Sequence, residues 1–240
     1  MADQRWLHLQ LAGPLLAFGG VRIDQLGPTR EFPAASMLTG LLANALGWQR
    51  WHWQAHQDLQ DRLVFAARRE HEAQPGLLID MQNAALEKTD RGWTTWGEVE
   101  GRDGASYGGP HRRERHYQMD ASLRVVLRLA PAEGALDLDA LAAALDRPQR
   151  PLFIGRKPCL PVGRIVQGWV TAADAHQALS AVAPVPGPLR ALWPVGEGPE
   201  TGPTVDRIID LADLRNWRTG LHGGARPVVE GWLHPAGAAP

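Results

Sequence analysis

Glycine and proline recur along this whole chain and limit the length of any helix that it can form. The 240 residues include 26 glycines and 19 prolines. Glycine weakens helices through its backbone entropy, and proline interrupts them because it lacks an amide hydrogen. We therefore expect short helices and strands joined by frequent turns. Three segments are predicted to be irregular: a loop at 14–33, a glycine-rich arm at 83–116 and a proline-rich linker at 184–203.

Alternating apolar residues predict the strands. Leucines alternate with polar residues over Arg5–Leu11, and Gly13-Pro14 is expected to end that strand. Ala121–Ala130 shows the same period of two, with four aliphatic side chains on one face. Shorter strands are predicted near Val64–Arg68, Leu77–Met81 and Val205–Leu211, and the last of these precedes a glycine-rich tail.

Apolar residues at helical spacing predict the helices. The clearest one starts at Ser36, a candidate N-cap, and stops at Gly47. A more polar helix is predicted at Gln54–Leu63. A third, at Leu136–Leu145, begins with acidic residues, which favour a helix N-terminus. Strands alternating with two apolar helices favour an α+β fold of the ferredoxin-like kind.

Composition excludes several classes of protein. The formal net charge is -1, so the protein as a whole is not a strongly basic nucleic-acid binder. Its single cysteine, Cys159, cannot form an internal disulfide, which is typical of a reduced compartment. No apolar run is long enough to span a bilayer, and the N-terminus does not resemble a signal peptide. We expect a cytoplasmic protein that needs no cofactor and does not bind a membrane.

Charge is unevenly distributed along this nearly neutral chain. Segment 147–164 has five basic residues and no acidic one, whereas segment 197–214 is acidic. Segment 111–128 has five arginines and two acidic residues. Basic segments in glycine- and proline-containing loops predict a groove for a polyanion, with Gly155 and Gly163 allowing close approach of phosphates. The alternative is a solvated face, since high-GC codon usage also enriches arginine.

The sequence shows few signs of catalysis. His52 and His56 have the spacing of metal ligands on a helix, but no acidic residue lies between them, so a surface pair is the default interpretation. No phosphate-binding GxxxxGK[ST] motif and no GxSxG motif is present. Candidate acid–base groups flank the arginines of segment 111–128, namely His111, His116 and Tyr117. Trp93 and Trp96, in the arm, are candidates for base stacking or for contact with another subunit.

Four stretches in order resemble the CasD family of CRISPR Cascade subunits, within the RAMP superfamily. They are LQLAGPLLAFGG at 9–20, GPTREFPAASMLTGLLANALGWQR at 27–50, ERHYQMDASLRVVLRLAP at 114–131 and RPLFIGRKPCLP at 150–161. The resemblance implies a non-catalytic antiviral-defence subunit that caps the 5′ handle of the CRISPR RNA (crRNA). It also implies contacts with the backbone and large subunits of type I-E Cascade, and with target DNA indirectly through the complex.

The resemblance also implies a division of the chain. Residues 1–82 and 116–240 would form a ferredoxin-like palm with a proline- and glycine-rich C-terminal region. Residues 83–115 would form an inserted β-hairpin thumb that packs on the neighbouring backbone subunit. The C-terminal third matches the family poorly and has no assigned role.

The candidate RNA-binding residues fall into three groups. The loop before the first helix and the helix start would face the handle, with backbone amides offered to phosphate. The base of the thumb would lie near RNA, and the basic pair of the loop at 150–161 would hold phosphates. Together with Arg164 of the basic segment, the candidates are Gly19, Gly20, Arg22, Arg30, Ser36, Arg112, Arg113, Arg115, His116, Tyr117, Arg156, Lys157 and Arg164.

Two other interpretations remain open at this stage. One is a metal-independent endoribonuclease that processes the guide, as a related subunit does in type I-C systems, with His111, His116 or Tyr117 as catalysts. The other is a protein–protein scaffold whose arginines bind acidic partners. The family's basic or hydroxyl residue before the first helix is replaced here by Ala34-Ala35, and Glu31 adds a negative charge nearby.

Overall fold

The computed structural model describes residues 3–20, 25–70, 76–84, 91–93, 98–100, 111–184 and 187–234. Within these residues the fold is mixed, which confirms the predicted α+β class. The helices are α1 (Ala35–Ala45), α2 (Trp53–Arg62), α3 (Leu138–Asp146) and α4 (Ala175–Ala181). The strands are β1 (Gln4–Leu16), β2 (Leu26–Gly27), β3 (Leu63–Arg69), β4 (Leu77–Ala84), β5 (Gly92–Trp93), β6 (Val99–Glu100), β7 (His111–Leu129), β8 (Val166–Ala172), β9 (Leu189–Pro194), β10 (Val205–Leu211) and β11 (Arg226–Leu233).

One sheet organises the described residues, in the order β10-β11-β9-β3-β7-β1-β8. All of its pairings are antiparallel apart from a short parallel contact between β2 and β7. The C-terminal half of β7 lies between β1 and β3, with Leu127 opposite both Leu7 and Phe65. Strand β7 is therefore the central strand on which the rest of the sheet is built.

The period-two pattern of β1 places its side chains in two separate cores. Leu7, Leu9 and Leu11 are fully buried in a core that includes residues of α1 and α3. Trp6, on the opposite face, is fully buried with Trp193 and residues of α4. Helices on one face and the shorter α4 on the other thus cover both sides of the sheet.

Strand β1 is longer than predicted, because Gly13-Pro14 does not end it. Its ladder with β7 continues to Leu16, opposite Gln118. The ladder with β8 on the other edge has already ended at Leu9. Pro14 therefore lies where one edge of β1 has no neighbouring strand, a position that tolerates a missing amide hydrogen.

The C-terminal third contains more regular structure than the sequence predicts. The predicted linker at 184–203 contains β9, which pairs with both β3 and β11, and the predicted glycine-rich tail contains β11. Pro188 directly precedes β9 and Pro194 ends it, so neither proline interrupts the strand. Strand β8 and helix α4 were also not predicted; α4 begins where Asp174 accepts a hydrogen bond from the Gln177 amide at 2.8 Å.

A hairpin extends the sheet at the N-terminal end of β7. Strand β4 pairs with the first eight residues of β7, from Leu77 opposite Gln118 to Ala84 opposite His111. Short strands β5 and β6 pair with each other. The thumb predicted at 83–115 overlaps the end of this hairpin, and much of that range lies outside the described residues. No described helix has the length and apolar character to cross a membrane.

Candidate nucleic-acid interface

A groove of about 550 Å³ lies beside α1, between the loop after β1, the 150–156 loop and the 215–222 segment. Its volume is in the range of pockets that hold small ligands, roughly 300–1,000 Å³. Trp48, Phe153 and Trp217 contribute aromatic surface to the groove. No described carboxylate lines it, whereas four arginines and two histidines do: Arg50, Arg150, Arg156, Arg215, His56 and His222. An acid-free basic groove with aromatic walls is suited to single-stranded nucleic acid.

The N-terminus of α1 borders this groove but is already occupied by protein. The Ala35 amide donates to the Asp213 carboxylate at 2.9 Å, and the Ser36 amide donates to the Asp213 carbonyl at 3.1 Å. Ala34, and not Ser36, is the N-cap residue. The expectation that Ser36 caps the helix and that free amides there receive a phosphate is therefore wrong. The remote Asp213 supplies the negative charge that favours a helix N-terminus.

Gly155 holds two loops of the groove together. A Cβ atom on this residue would lie 1.6 Å from the Ala17 carbonyl oxygen, and its φ is +89°. The glycine is required because the 150s loop packs directly on the chain after β1. Its small size thus serves contact within the protein, and the approach of a phosphate to it remains a prediction. Gly19, at φ +83°, also lines the groove, and Gly20 packs on Pro28.

Two arginines of the basic segment donate hydrogen bonds to main-chain carbonyls. Arg156 Nη1 donates to the His116 carbonyl at 2.9 Å, and its Nη2 donates to the Gly27 carbonyl at 2.7 Å. Arg150 Nη2 donates to the Gly47 carbonyl at 2.6 Å, just beyond the end of α1. These guanidiniums connect loops of the protein, so only some of their N–H groups are left to bind a ligand.

The remaining basic residues of this segment diverge in space. Lys157 is exposed and makes no hydrogen bond or ion pair with any described residue. Arg164 forms a bidentate ion pair with Asp146 and lines a separate pocket at the end of α3. The five basic residues that are adjacent in sequence therefore do not form one continuous patch.

The base of the hairpin places its candidates on opposite faces of β7. Successive strand residues alternate, so Arg112 and His116 share one face while Arg113, Arg115 and Tyr117 share the other. His116 Nε2 lies 3.7 Å from a Glu114 carboxylate oxygen. Tyr117 is only 5% exposed, and the Arg156 guanidinium lies 5.0 Å from its ring centre.

The loop before α1 is described only in part. Arg30 Nη2 donates to the Ala212 carbonyl at 2.8 Å, which ties this loop to the chain after β10. Arg22 and Trp96 lie outside the described residues, as does the side chain of Trp93. The predictions for these three residues are therefore not addressed by the structure.

The 215–222 segment is part of the groove that sequence reasoning missed. Gln60 of α2, almost fully buried, holds it in place at three points. Its Oε1 accepts hydrogen bonds from the Arg215 amide and from Trp217 Nε1, both at 3.1 Å, and its Nε2 donates to the Arg215 carbonyl at 3.0 Å. The sequence signal for this contact was Gln60, a glutamine on a helix with few apolar residues. Such a residue does not by itself indicate a binding site. Arg50 was likewise missed, because it lies alone after α1.

His56, one of the two histidines of the groove, packs as an aromatic group. His56 Nδ1 lies 2.8 Å from the His52 carbonyl, and its ring stacks on Trp217 at 4.7 Å. Burial, and in part the Arg215 charge, lower the pKa of both His56 and His222. The spacing of His52 and His56 thus serves local packing, and the described residues contain no cluster of three potential metal ligands.

The chain is similar in sequence to the proteins of one family. Residues 6–229 match the model of the family described as "CRISPR-associated protein (Cas_Cas5)". The CRISPR system Cascade subunit CasD of Escherichia coli (strain K12) is 30% identical over 182 residues, which cover 76% of this chain and 79% of that relative.

Two solved structures have a similar fold. A chain of a CRISPR RNA-guided surveillance complex has a TM-score of 0.67 at 20% identity, covering 98% of this chain and 94% of its own. A Cas protein known from a crystal structure has a TM-score of 0.63 at 24% identity, covering 96% of both chains. At these identities the likeness shows the fold alone.

Proposed function

This chain belongs to the Cas5 family of CRISPR-associated proteins, and from that premise we propose that it is a Cascade subunit that binds the 5′ handle of the crRNA without cleaving it. The observation that carries the proposal is the groove beside α1, whose described lining residues include arginines and no carboxylate. Phosphate neutralisation dominates the affinity of proteins for nucleic acids, and a carboxylate in the groove would oppose it.

The strand order supports a ferredoxin-like palm. Strands β8, β1, β7 and β3 are neighbours in that order, and all three of their pairings are antiparallel. Helices α1 and α2 connect β1 to β3, and α3 lies between β7 and β8. A strand–helix–strand–strand–helix–strand chain with this neighbour order is the ferredoxin-like arrangement. This strand order is what we expect if the chain has the RNA-binding role that we propose.

The hairpin formed by β4 and β7 suits a contact with a neighbouring subunit. Four apolar residues of β4 are exposed, namely Leu77, Leu78, Ile79 and Met81. A contiguous exposed apolar strand is uncommon in a monomer and typically marks an interaction surface. In our proposal this hairpin docks on the backbone subunit. The chain also contacts the large subunit, and it meets target DNA only indirectly, through the complex.

The alternative of an endoribonuclease is less well supported. His116 and Tyr117 project from opposite faces of β7, so they cannot act on the same bond from this strand. Tyr117 is also buried beneath Arg156. A general acid or base must reach the proton that it transfers. These contacts favour a binding role for the base of the hairpin.

Repeat RNA in the presence of a chelator provides the test of this function. We expect native gels to show a shifted RNA and denaturing gels to show that it remains intact. The Lys157→Glu variant should bind more weakly and with a flatter salt dependence, whereas Arg207→Glu, at an exposed ion pair on β10, should bind as the wild type does. A discrete cut within the repeat would overturn this proposal and identify the protein as the enzyme that processes the guide RNA.

A further inference from the structure

Two arginines from distant parts of the chain converge in the groove. Arg50 follows α1, and Arg215 begins the 215–222 segment. The point that a Cβ atom on Gly220 would occupy lies 3.3 Å from Nη2 of both arginines. Gly220 has a φ of +78°, so the turn there is built on a residue without a side chain. The two Nη2 atoms therefore lie within about 6.6 Å of each other.

Neither guanidinium has an acidic partner among the described residues. Arg50 is exposed and makes no hydrogen bond there, and Arg215 Nε is buried without a hydrogen-bond partner. The guanidiniums of Arg68 and Arg226 are paired with the carboxylates of Glu70 and Asp213, whereas Nε of Arg30, Arg128 and Arg190 is, like that of Arg215, without a hydrogen-bond partner. A buried donor without a partner costs free energy unless a ligand satisfies it.

The protein holds Arg215 rigidly in spite of this cost. Gln60 fixes its main chain at both the amide and the carbonyl. The Trp217 ring lies 4.9 Å from its guanidinium carbon, in a cation–π contact. Trp217 is in turn held by its indole hydrogen bond to Gln60. A charged group that is preorganised in this way loses little entropy when it binds an anion.

The electrostatic environment favours an anion between the two arginines. Burial, and secondarily the positive charge of Arg50, lower the pKa of Arg215. Arginine nevertheless keeps its charge at any physiological pH, so the two like charges repel each other across the gap. One bound anion would convert this repulsion into two attractive contacts.

We propose that Arg50 and Arg215 form a clamp for one phosphate group of single-stranded RNA bound in the groove. This inference rests on the proposed function and assigns to it two residues far from the basic segments of the sequence. A phosphate matches the planar donor fork of a guanidinium. The aromatic walls at Trp48 and Trp217 favour nucleotides over an acidic peptide as the source of the anion.

The experiment uses the full-length protein and synthetic handle RNA in fluorescence anisotropy titrations over a range of salt concentrations. The variants are Arg50→Ala, Arg215→Ala and the double substitution, with Arg207→Ala as the matched surface control. A series of RNAs carries one neutral methylphosphonate at each linkage in turn, and one further RNA carries a 5′-phosphate. Circular dichroism confirms that each variant is folded.

We expect each single substitution to weaken binding roughly ten- to a hundredfold and to reduce the salt slope by about 0.7. A methylphosphonate at one linkage should weaken wild-type binding and have no further effect in the double variant. If the clamp instead holds a terminal phosphate, the 5′-phosphate should strengthen wild-type binding alone.

Two outcomes separate the clamp from the function on which it rests. If the wild type binds handle RNA and the double variant binds it equally tightly, the clamp is overturned and the proposed function stands. No binding of handle RNA by the wild type, together with Arg50-dependent binding of polyglutamate, would overturn both and indicate an acidic protein partner.

Discussion

The Asp213 carboxylate accepts a hydrogen bond from the Ala35 amide at 2.9 Å, so a residue 178 positions away closes the first turn of α1. The same carboxylate is fully buried and paired with Arg226 at 3.0 Å. Asp213 therefore joins the N-terminus of α1, the chain after β10 and the start of β11. The helix that forms one wall of the groove is positioned by the C-terminal third of the protein.

The first prediction concerns this junction. Asp213→Ala should lower the free energy of unfolding by about 3–5 kcal/mol, because it removes the buried carboxylate and leaves the partly buried Arg226 charge unpaired. Chemical denaturation monitored by circular dichroism measures this change. Asp139→Ala removes the exposed ion pair with Arg5 and should leave the free energy of unfolding close to that of the wild type. Equal losses in the two variants would contradict the structural role of Asp213.

A second prediction separates the close packing of Gly155 from its backbone conformation. Gly155→Ala and Gly163→Ala both introduce a Cβ atom at a positive φ, of +89° and +78° respectively. Only the first meets another atom, the Ala17 carbonyl oxygen, whereas nothing lies within 4 Å of the second. Thermal unfolding should show a loss of roughly 1–2 kcal/mol for Gly163→Ala and a distinctly larger loss for Gly155→Ala. Similar melting temperatures would mean that the loops do not pack as described.

The third prediction tests Gln60 as a positioning residue. Gln60→Leu removes its three hydrogen bonds to Arg215 and Trp217 and should weaken RNA binding, although Gln60 does not line the groove. The free energy of unfolding should fall by about 1–3 kcal/mol, because main-chain groups lose their partners. Gln54→Leu, at an exposed position of the same helix, is the control and should change neither quantity. RNA affinity that survives in Gln60→Leu would separate this contact from binding.

The fourth prediction is a pH dependence of stability. Burial and the positive charges of Arg124 and Arg68 lower the pKa of His8 to about 4. The negative charge of Glu70 opposes this shift only in part. The unfolded chain, with an ordinary histidine pKa near 6.5, then binds more protons than the folded protein between these values. The free energy of unfolding should therefore fall as the pH drops from 6.5 towards 4, by about 3 kcal/mol from His8.

Denaturation at a series of pH values measures this effect. His8→Gln keeps the size and polarity of the side chain but cannot be protonated, so its stability should fall less steeply over the same range. His56, His176 and His222 also have lowered pKa values and will leave a residual slope. A variant whose slope equals that of the wild type would rule out His8 as a buried neutral group.

The sequence alone supported predictions whose causes are local. Alternation marked β1 and β7, the apolar stripe marked α1, and Asp137 accepts the Ala140 amide at 2.7 Å at the start of α3. Strand β9 was missed because its neighbours Pro188 and Pro194 read as a linker, although they fall at its ends. The RNA-binding candidates came from the basic segments and from the resemblance to the CasD family, and most of them remain predictions.

What only the tertiary structure decided is which charges meet. Arg156 and Arg164 are close in sequence, yet one donates to the carbonyls beneath the groove and the other pairs with Asp146 elsewhere. Arg50 and Arg215 are distant in sequence and come within reach of one anion. Periodicity and capping depend on neighbours a few residues apart, so both are visible in the sequence. Convergence across the sheet depends on strand order and loop packing, which arise only when the whole chain folds.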